Sequence, residues 1–308
     1  MHFLDKSIFK LLDPNERFKF FLRFGVYNHL SDEAFLLRAY KAFMGKELNL
    51  KNPQTFNEKL QWLKLYDHNP EYVNMVDKYE AKKYIAEKLR DKSVVIPTLG
   101  VWNHFDEIDF SRLPDQFVLK CTHDSGGLVI CKDRKSFDIK SARRKIEKSL
   151  KHNYFLNTRE WPYKNIVPRI IAEPYIEDNR YHELRDYKFF CFDGIVRALF
   201  VATERQSAGE DTKFDFFDAD YNHLDIINGH PNAKIPPEKP INFDKMKEIC
   251  EILSKEIPQI RIDFYEANGQ LLVGELTLCH WSGLIPFEPD KWDRIFGDWI
   301  TLPNRTNQ

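Results

Sequence analysis

The sequence of 308 residues predicts an α+β fold that begins with helices and continues with strands paired as hairpins. From residue 1 to about residue 90, apolar residues recur at the spacing of amphipathic helices. Farther along, apolar strands flank short turns at Asp193-Gly194 and Asn268-Gly269, which is the pattern of antiparallel hairpins. Hairpins interspersed with helices indicate α+β rather than a doubly wound parallel sheet.

The N-terminal helices are predicted from four segments. A dense aromatic cluster spans Phe18 to Phe24, and a second amphipathic stretch runs from Ala34 to Met44. Thr55-Phe-Asn-Glu58 is a capping box that starts a third helix, and a fourth is expected from about Val76 to Leu89. Many residues here are basic, so contact with a membrane surface is conceivable, but packing into the core is the simpler expectation.

After Pro97 the pattern changes to strands and short helices. The expected elements lie at 117–131 (strand, polar loop, strand), 141–150 (helix), 170–176 (strand), 187–192 with 195–203 (hairpin), 243–255 (helix) and around Trp292 and Trp299 (helical turns). Residues 205–240 are polar and proline-containing, which favours loops and short strands.

The composition excludes several classes of protein. The net charge is −1 with both signs mixed, which leaves no basic footprint for nucleic-acid binding. No apolar run is long enough to form a transmembrane segment, and charges interrupt the first ten residues too early for a secretory signal. The five cysteines are scattered without a CxxC pair, so we expect reduced, mostly buried thiols in a cytoplasmic protein.

The last hairpin carries acids inside apolar strands. A buried carboxylate is costly unless it is paired or binds a metal, so Asp263 and Glu275 are candidate Mg²⁺ ligands. Residues two apart share a strand face, which places Arg261 with Asp263 and Thr277 with Glu275. A two-residue Asn-Gly loop would pair Asp263 with Gly274 and put Glu275 on the opposite face. An odd-length loop with a left-handed glycine puts both acids on one face, and we predict that loop because only it forms a shared metal site.

Several lysines lie where they could contact phosphate. Lys120 is inside an apolar strand, three residues before the small polar loop His123-Asp-Ser-Gly-Gly127, whose backbone N–H groups could close on phosphate oxygens. Lys78 opens a helix, and Asp186 and Lys188 share one strand face. Taken singly, each of these charges is also compatible with a solvated surface position, which is the default for a helix lysine such as Lys78.

Their order along the chain is more informative than any one of them. Lys78 and Lys120 could bind phosphate, the segment 173–176 could contact the edge of the nucleotide base, and Asp263 and Glu275 could bind metal. Together they would make up an ATP–Mg²⁺ site, and this succession resembles the ATP-grasp superfamily. A longer string, formed by Asn52–Asp67, Val76–Tyr79 and Ile96–Trp102, is similar to the TupA-like branch. The resemblance covers residues 30 to 300 and implies two α+β lobes clamping ATP. The largely helical N-terminal region departs from it, because many ATP-grasp ligases carry a small α/β domain there.

The resemblance implies domain boundaries and a role for individual residues. The expected parts are a helical N-terminal region (1–76), a linker (77–115), a lid subdomain (116–172), a C-terminal subdomain (173–302) and a tail (303–308). For ATP it implies Lys78 and Lys120 at the α- and β-phosphates, Ser125, Gly126 and Gly127 as the lid, Glu173, Pro174, Tyr175 and Ile176 as the adenine hinge, and Asp186 near the ribose or γ-phosphate. For Mg²⁺ it implies Asp263, Glu275 and Thr277; for catalysis it implies Arg261 and Lys188, with Ser282 and Gly283 lining the acceptor pocket. Many relatives carry Asn where this chain has Thr277, and a hydroxyl is the weaker Mg²⁺ ligand.

The activity implied is that of a carboxylate–amine ligase that works through an acyl-phosphate. The TupA-like branch is associated with capsule and other surface-polysaccharide biosynthesis, so the expected substrates are a small amine and a carboxylated sugar or glycan, and peripheral association with the capsule machinery is conceivable. We expect Arg197, Arg205 and Lys213 to help bind the carboxylate.

Two other functions remain open from the sequence. A glycosyltransferase would use a metal-binding D-x-D motif, and Asp218-Ala-Asp220 is the one such motif, although its polar surroundings are more typical of a turn. A non-catalytic scaffold with the same fold is disfavoured, because buried charges without ligands would be costly.

Overall fold

The computed structural model describes residues 12–181, 183–205 and 211–304. In chain order the helices are α1 (Pro14–Leu22), α2 (Asp32–Met44), α3 (Phe56–Tyr66), α4 (Glu71–Val76), α5 (Glu80–Leu89), α6 (Ile139–Leu150), α7 (Phe155–Thr158), α8 (Phe243–Leu253) and α9 (Lys291–Asp298). The strands are β1 (Gly100–Trp102), β2 (Phe117–Cys121), β3 (Leu128–Cys131), β4 (Ile170–Pro174), β5 (Asp186–Phe192), β6 (Ile195–Thr203), β7 (Lys213–Asp218), β8 (His223–Leu224), β9 (Ile260–Ala267) and β10 (Gln270–Thr277).

The strands form two antiparallel sheets. The smaller sheet has the order β1-β4-β2-β3, and the larger has the order β10-β9-β5-β6-β7-β8. Antiparallel sheets combined with helices confirm the predicted α+β class, and the hairpin predicted around Asp193-Gly194 is the β5–β6 pair.

The larger sheet is a middle layer, buried on both faces. Along β5, Tyr187 and Phe189 point to a core shared with α5 and α8. Phe190 and Phe192 point to the opposite face, which is covered by α1, α2, α3 and α9. The smaller sheet has its own core against α6. The described cysteines, all five, are buried as predicted.

The N-terminal helices pack onto the larger sheet. Phe18, Phe35 and Phe56 are fully buried there, which confirms the expectation of core packing for this part of the region. Thr55 and Glu58 form the predicted capping box at the start of α3. Within the described ranges, every helix is too short or too polar to cross a membrane.

The helix predicted from Val76 to Leu89 is two helices, because Asp77 interrupts it. Asp77 has an extended backbone (φ −73°, ψ 117°). Its carboxylate accepts hydrogen bonds from the N–H groups of Tyr79 and Glu80, at 2.8 and 3.0 Å. A capping aspartate satisfies the free N–H groups of a new helix start, and this starts α5.

The loop predicted for the last hairpin is wrong, because the connection is a two-residue turn. Gln270 pairs with Ala267, and between them Asn268 (φ 51°) and Gly269 (φ 80°) are both left-handed. Two successive left-handed residues are what a type I′ hairpin requires. With this turn alone, Glu275 would face away from Asp263.

A β-bulge at Gly274 restores the predicted shared face. Val273 pairs in register with Phe264, but Glu275 pairs with Asp263, so Gly274 is the extra residue. The position requires glycine because a Cβ atom there would lie 2.7 Å from the ring of Tyr265. The bulge inverts the alternation of β10 and brings both acids to one side of the sheet.

Candidate active site

A cleft of about 780 Å³ opens over this side of the larger sheet. Its lining includes Lys188, Arg205, Arg261, Glu275 and Thr277 from the sheet and the segment after β6, Ser125 from the lid loop, and Lys19 and Arg23 from and just after α1. The N-terminal helical region therefore forms one wall of the cleft, a role that the sequence did not indicate.

A network of buried charges forms the floor of the cleft. Arg261 donates to both carboxylate oxygens of Asp263, at 2.7 and 2.9 Å, and Lys188 is bonded to the same carboxylate. Asp186 accepts from Arg205 and lies 3.4 Å from Lys188. Burial acts to raise the pKa of Asp263, but Arg261 and Lys188 outweigh it and hold that pKa below its ordinary value.

His280 supports Arg261 from behind and was not predicted. Its Nδ1 lies 2.7 Å from the Arg261 guanidinium, and its Nε2 lies 2.8 Å from Oδ1 of Asn228. Arginine can only donate, so Nδ1 accepts and the proton is on Nε2, which donates to Asn228. Burial, Arg261 and Lys188 all lower the pKa of His280 well below its ordinary value, so the ring is neutral. A neutral histidine held in one tautomer fixes the direction of the guanidinium.

The carboxylates of the hairpin fit a magnesium ion. Asp263 and Glu275 are cross-strand partners, and the Thr277 hydroxyl accepts from Arg261 at 3.1 Å. In the described part of the chain, His, Cys, Asp and Glu side chains do not gather into a metal-binding group of three or more. Mg²⁺ is commonly bound by one or two carboxylates together with phosphates and water, rather than by a full protein cage. Asp263 and Glu275 match the protein's share of that pattern, and a bound ion would share the Asp263 carboxylate with Arg261.

A second charged cluster lies on the smaller sheet. The buried Glu173 carboxylate lies 2.6 Å from Nζ of Lys82 and 2.5 Å from Nζ of Lys120. Burial acts to raise the pKa of Glu173, but the two lysines hold it below its ordinary value. Lys82 was not predicted, and the sequence signal for it is a lysine four residues after Lys78 in a stretch predicted to be helical.

Tyr265 lies on β9, two residues after Asp263, and its pKa is raised. Burial raises its pKa to about 12, and Asp263, Glu275 and Glu173 all lie close enough to add to that rise.

The predicted lid residues lie on different surfaces. Lys78 donates to the backbone carbonyl of Asp124, which ties α5 to the loop. Ser125 lines the cleft, whereas Gly126 lines a separate groove beside β3 and α6. Gly127 packs against Ser149.

The predicted hinge continues β4 toward β5. Pro174 ends β4, and Tyr175 and Ile176 follow it as half-buried residues. Lys132 of the smaller sheet's edge lies over the Tyr175 ring, 5.4 Å from its centre. The carboxylate of Glu173, at the start of the hinge, is held by the two lysines.

Of the cations expected to bind a carboxylate substrate, the cleft contains Arg205 but neither Arg197 nor Lys213. Arg197 is the residue skipped where the β5–β6 register shifts, and its side chain is exposed to solvent. Lys213 directly precedes Phe214, which lines the cleft, so its side chain points to the other side of the sheet. The position of Arg197 is decided by a bulge that the sequence does not reveal, and that of Lys213 by the alternation of side chains along β7.

Ser282 and Gly283 lie in a tight loop that packs on α3. Gln61 donates to the carbonyl oxygens of Ser282 and Gly283, at 3.0 and 2.8 Å. The Ser282 hydroxyl donates to Glu160 at 2.8 Å and accepts from Lys64 at 2.9 Å. Lys64 and Glu160 were not predicted; the sequence signal for Lys64 is a lysine inside the apolar stretch Trp62-Leu-Lys-Leu-Tyr66.

The D-x-D motif forms a turn after β7. Oδ1 of Asp218 accepts from the N–H groups of Asp220 and Asn222, at 2.9 and 2.8 Å, and Oδ2 accepts from the Asn222 side chain. The carboxylate of Asp218 is thus used to close its own turn, as the polar context of the motif suggests.

Comparison with known families agrees with this geometry. The family model described as TupA-like ATPgrasp matches residues 58–301. The chain belongs to the TupA-like ATP-grasp family. Membership confirms the resemblance drawn from the motif string and, with the two antiparallel sheets, the predicted ATP-grasp fold.

Solved structures of related fold are distant from this family member. A D-alanine–D-alanine ligase from Helicobacter pylori is 17% identical, with 80% of this chain and 69% of that chain covered and a TM-score of 0.42. A D-alanine–D-alanine ligase from Bacillus anthracis complexed with ATP is 13% identical, with 73% of this chain and 58% of that chain covered and a TM-score of 0.41. The D-cycloserine synthetase DcsG is 15% identical, with 87% of this chain and 77% of that chain covered and a TM-score of 0.40. No curated protein matches the sequence.

Proposed function

We propose that this protein is an ATP- and Mg²⁺-dependent carboxylate–amine ligase that forms an amide bond through an acyl-phosphate. The observation that carries the proposal is the β9–β10 hairpin. It places Asp263 and Glu275 opposite each other on the cleft side of the sheet, with Arg261 bonded to Asp263 and Lys188 beside them.

This arrangement suits phosphoryl transfer. The reaction needs positioning and neutralisation of charge, with little covalent work by the protein. Mg²⁺ held by Asp263 and Glu275 would neutralise the phosphate oxygens. Lys188 is a buried cation that can hold the transferred phosphoryl group in line with the carboxylate. Arg261, fixed by His280, can stabilise the oxyanion that develops when the amine attacks.

The lining of the cleft supports a sugar-like acid as the carboxylate substrate. Phe214 and Trp281 stack at 6.2 Å between ring centres, and Trp281 is 40% exposed. Aromatic faces provide flat apolar surfaces on which the apolar face of a sugar ring can pack. Arg23 and Arg205 line the same cleft and supply positive charge for a carboxylate. We therefore propose a uronic acid of a capsular or other surface-polysaccharide precursor, joined to an amino acid or small amine in the cytoplasm.

The first experiment is to follow nucleotide and phosphate release from Mg-ATP with pooled uronic acids and amines, using phosphorus NMR to distinguish ADP from AMP. We expect ADP and phosphate only when acid and amine are both present. Glu275→Ala should abolish this turnover while the protein stays folded, and exposed Glu177→Ala is the matched control. Full activity of Glu275→Ala, or cleavage of a nucleotide sugar without ATP consumption, would refute the proposal.

A further inference from the structure

The buried carboxylate of Glu160 has no assigned part in phosphoryl transfer, yet it faces the same cleft. We propose that Glu160 is the general base that deprotonates the attacking amine, and that Ser282 and Lys64 position it. The inference rests on the proposed ligase function and adds to it the group that accepts the proton.

The geometry brings together three distant segments. Glu160 lies before the 3₁₀ turn Trp161–Tyr163, Ser282 lies after β10, and Lys64 lies on α3. Glu160 is 4% exposed and contributes to the lining of the cleft, as does Ser282. The hydroxyl of Ser282 bridges the other two side chains, at 2.8 Å from Glu160 and 2.9 Å from Lys64.

The backbone that presents Ser282 is strained and firmly held. Trp281 and Ser282 are left-handed, with φ of 47° and 56°. Lys64 donates to the Ser282 carbonyl at 2.7 Å, and Gln61 donates to it at 3.0 Å. Strained residues persist where the surroundings over-determine them, and such positions cluster at functional sites. Lys64 and Gln61 are part of the motif Asn52–Asp67, so this string contributes two residues that hold the Ser282 loop.

The surroundings of Glu160 raise the pKa of its carboxyl group above the ordinary value, which makes the carboxylate a stronger base. Burial raises the pKa of the Glu160 carboxyl group, Lys64 and Ser282 act against that rise, and Glu275 adds to it. The neighbouring Tyr154 and Tyr163 from the same segment have pKa values raised by burial, as does Cys279, so these three groups stay neutral. Burial lowers the pKa of Lys64. A general base is most effective when its pKa lies near the working pH.

The amine loses one proton to Glu160 and a second to the departing phosphate. An amine substrate arrives as an ammonium ion, transfers one proton to the Glu160 carboxylate and becomes a neutral nucleophile. Its nitrogen then forms the C–N bond at the acyl-phosphate carbon while the C–O bond to phosphate breaks. The second proton of the nitrogen leaves with the phosphate, which departs as hydrogen phosphate. Glu160 releases the first proton to solvent after the product leaves.

The test uses hydroxylamine as an alternative nucleophile. It is already uncharged at neutral pH, so it needs no base, and the hydroxamate it forms reports the acyl-phosphate directly. Glu160→Gln should lose about 100-fold or more of kcat with an ammonium-type amine, in line with the usual size of base catalysis. With hydroxylamine it should stay within about threefold of the parent protein, because the step that Glu160 serves is bypassed.

The outcomes separate the two proposals. Equal losses with both nucleophiles, or no loss with either, would overturn the role of Glu160 while leaving the ligase intact. No hydroxamate from the parent protein would instead refute the ligase.

A second variant, Ser282→Ala, tests the proposal even if Glu160→Gln does not fold. Ser282→Ala removes a hydrogen bond that stabilises the carboxylate, which raises the pKa of Glu160, so the acidic limb of kcat/KM should move to higher pH. A limb that does not move would also overturn the proposal. Exposed Glu177→Gln is the control for both variants, and a thermal melt of each verifies folding.

Discussion

The Lys82–Glu173–Lys120 cluster allows a stability prediction to be worked from the structure. Glu173→Gln keeps the shape of the side chain but removes the negative charge that lies 2.6 and 2.5 Å from the two lysine Nζ atoms. Removing one partner of a buried ion pair costs about 3–5 kcal/mol. The side chains of Lys82 and Lys120 are 14% and 19% exposed, so water screens their charges in part. We therefore expect Glu173→Gln to lower the free energy of unfolding by about 3 kcal/mol, the lower end of that range.

The assay is urea unfolding without nucleotide, with the slope compared between variants to check that only stability changes. Exposed Glu177→Gln is the matched control and should stay within about 0.5 kcal/mol of the parent protein. Lys82→Met completes a double-mutant cycle, in which the double variant should cost less than the sum of the single variants by about 1–2 kcal/mol.

The same contribution depends on pH in a predictable direction. The folded pKa of Glu173 is lower than its ordinary value of about 4.3, so its stabilisation is complete above that value. It is lost as the pH falls through the folded pKa, and the difference between the parent protein and Glu173→Gln should shrink there. A cost below about 0.5 kcal/mol at pH 7, or strict additivity with Lys82→Met, would refute the assignment of a coupled ion cluster.

Further predictions concern the cleft and the hairpin. Arg205→Met should raise the KM for the carboxylate substrate by about 5- to 10-fold, because Arg205 lines the cleft. Arg197→Met is the control and should leave this KM unchanged, because Arg197 lies outside the cleft. Equal effects of the two variants on KM in steady-state kinetics would contradict the assignment. Gly274→Val should cost about 1–3 kcal/mol in urea unfolding, because the added atoms meet the ring of Tyr265, and an unchanged stability would argue against the bulge. The folded pKa of His280 is far below its ordinary value of about 6.5, so the unfolded chain takes up the proton first and stability falls as the pH drops below 6.5. His280→Asn should flatten that fall in melts between about pH 7 and pH 5, and parallel curves would count against a buried neutral histidine.

The class and the order of elements could be predicted because their signals are local. The capping box Thr55–Glu58 starts α3 with hydrogen bonds that span three residues. The hairpin at Asp193-Gly194 follows from two apolar runs around one turn. Family membership likewise rests on motif strings that can be recognised in one dimension, such as Asn52–Asp67.

The register of the last hairpin could not be predicted from neighbouring residues alone. The Asn268-Gly269 turn is legible in the sequence, but the bulge at Gly274 depends on the Tyr265 ring across the strand pair. Because side chains alternate with a period of two, one extra residue decides whether Glu275 meets Asp263. The shared face was thus predicted correctly, although through the wrong loop.

What the sequence determined by itself is the α+β class, the family and the identity of the acids on the last hairpin. The tertiary structure decided which charges meet. It joined Lys82 to Glu173 and Lys120, joined Lys64 to Ser282 and Glu160, and left Arg197 outside the cleft. Propensities and turns depend on neighbours a few residues away, whereas these contacts join residues that are between 53 (Lys120 and Glu173) and 218 (Lys64 and Ser282) positions apart. Only the packing of helices on sheets brings such segments within hydrogen-bonding distance.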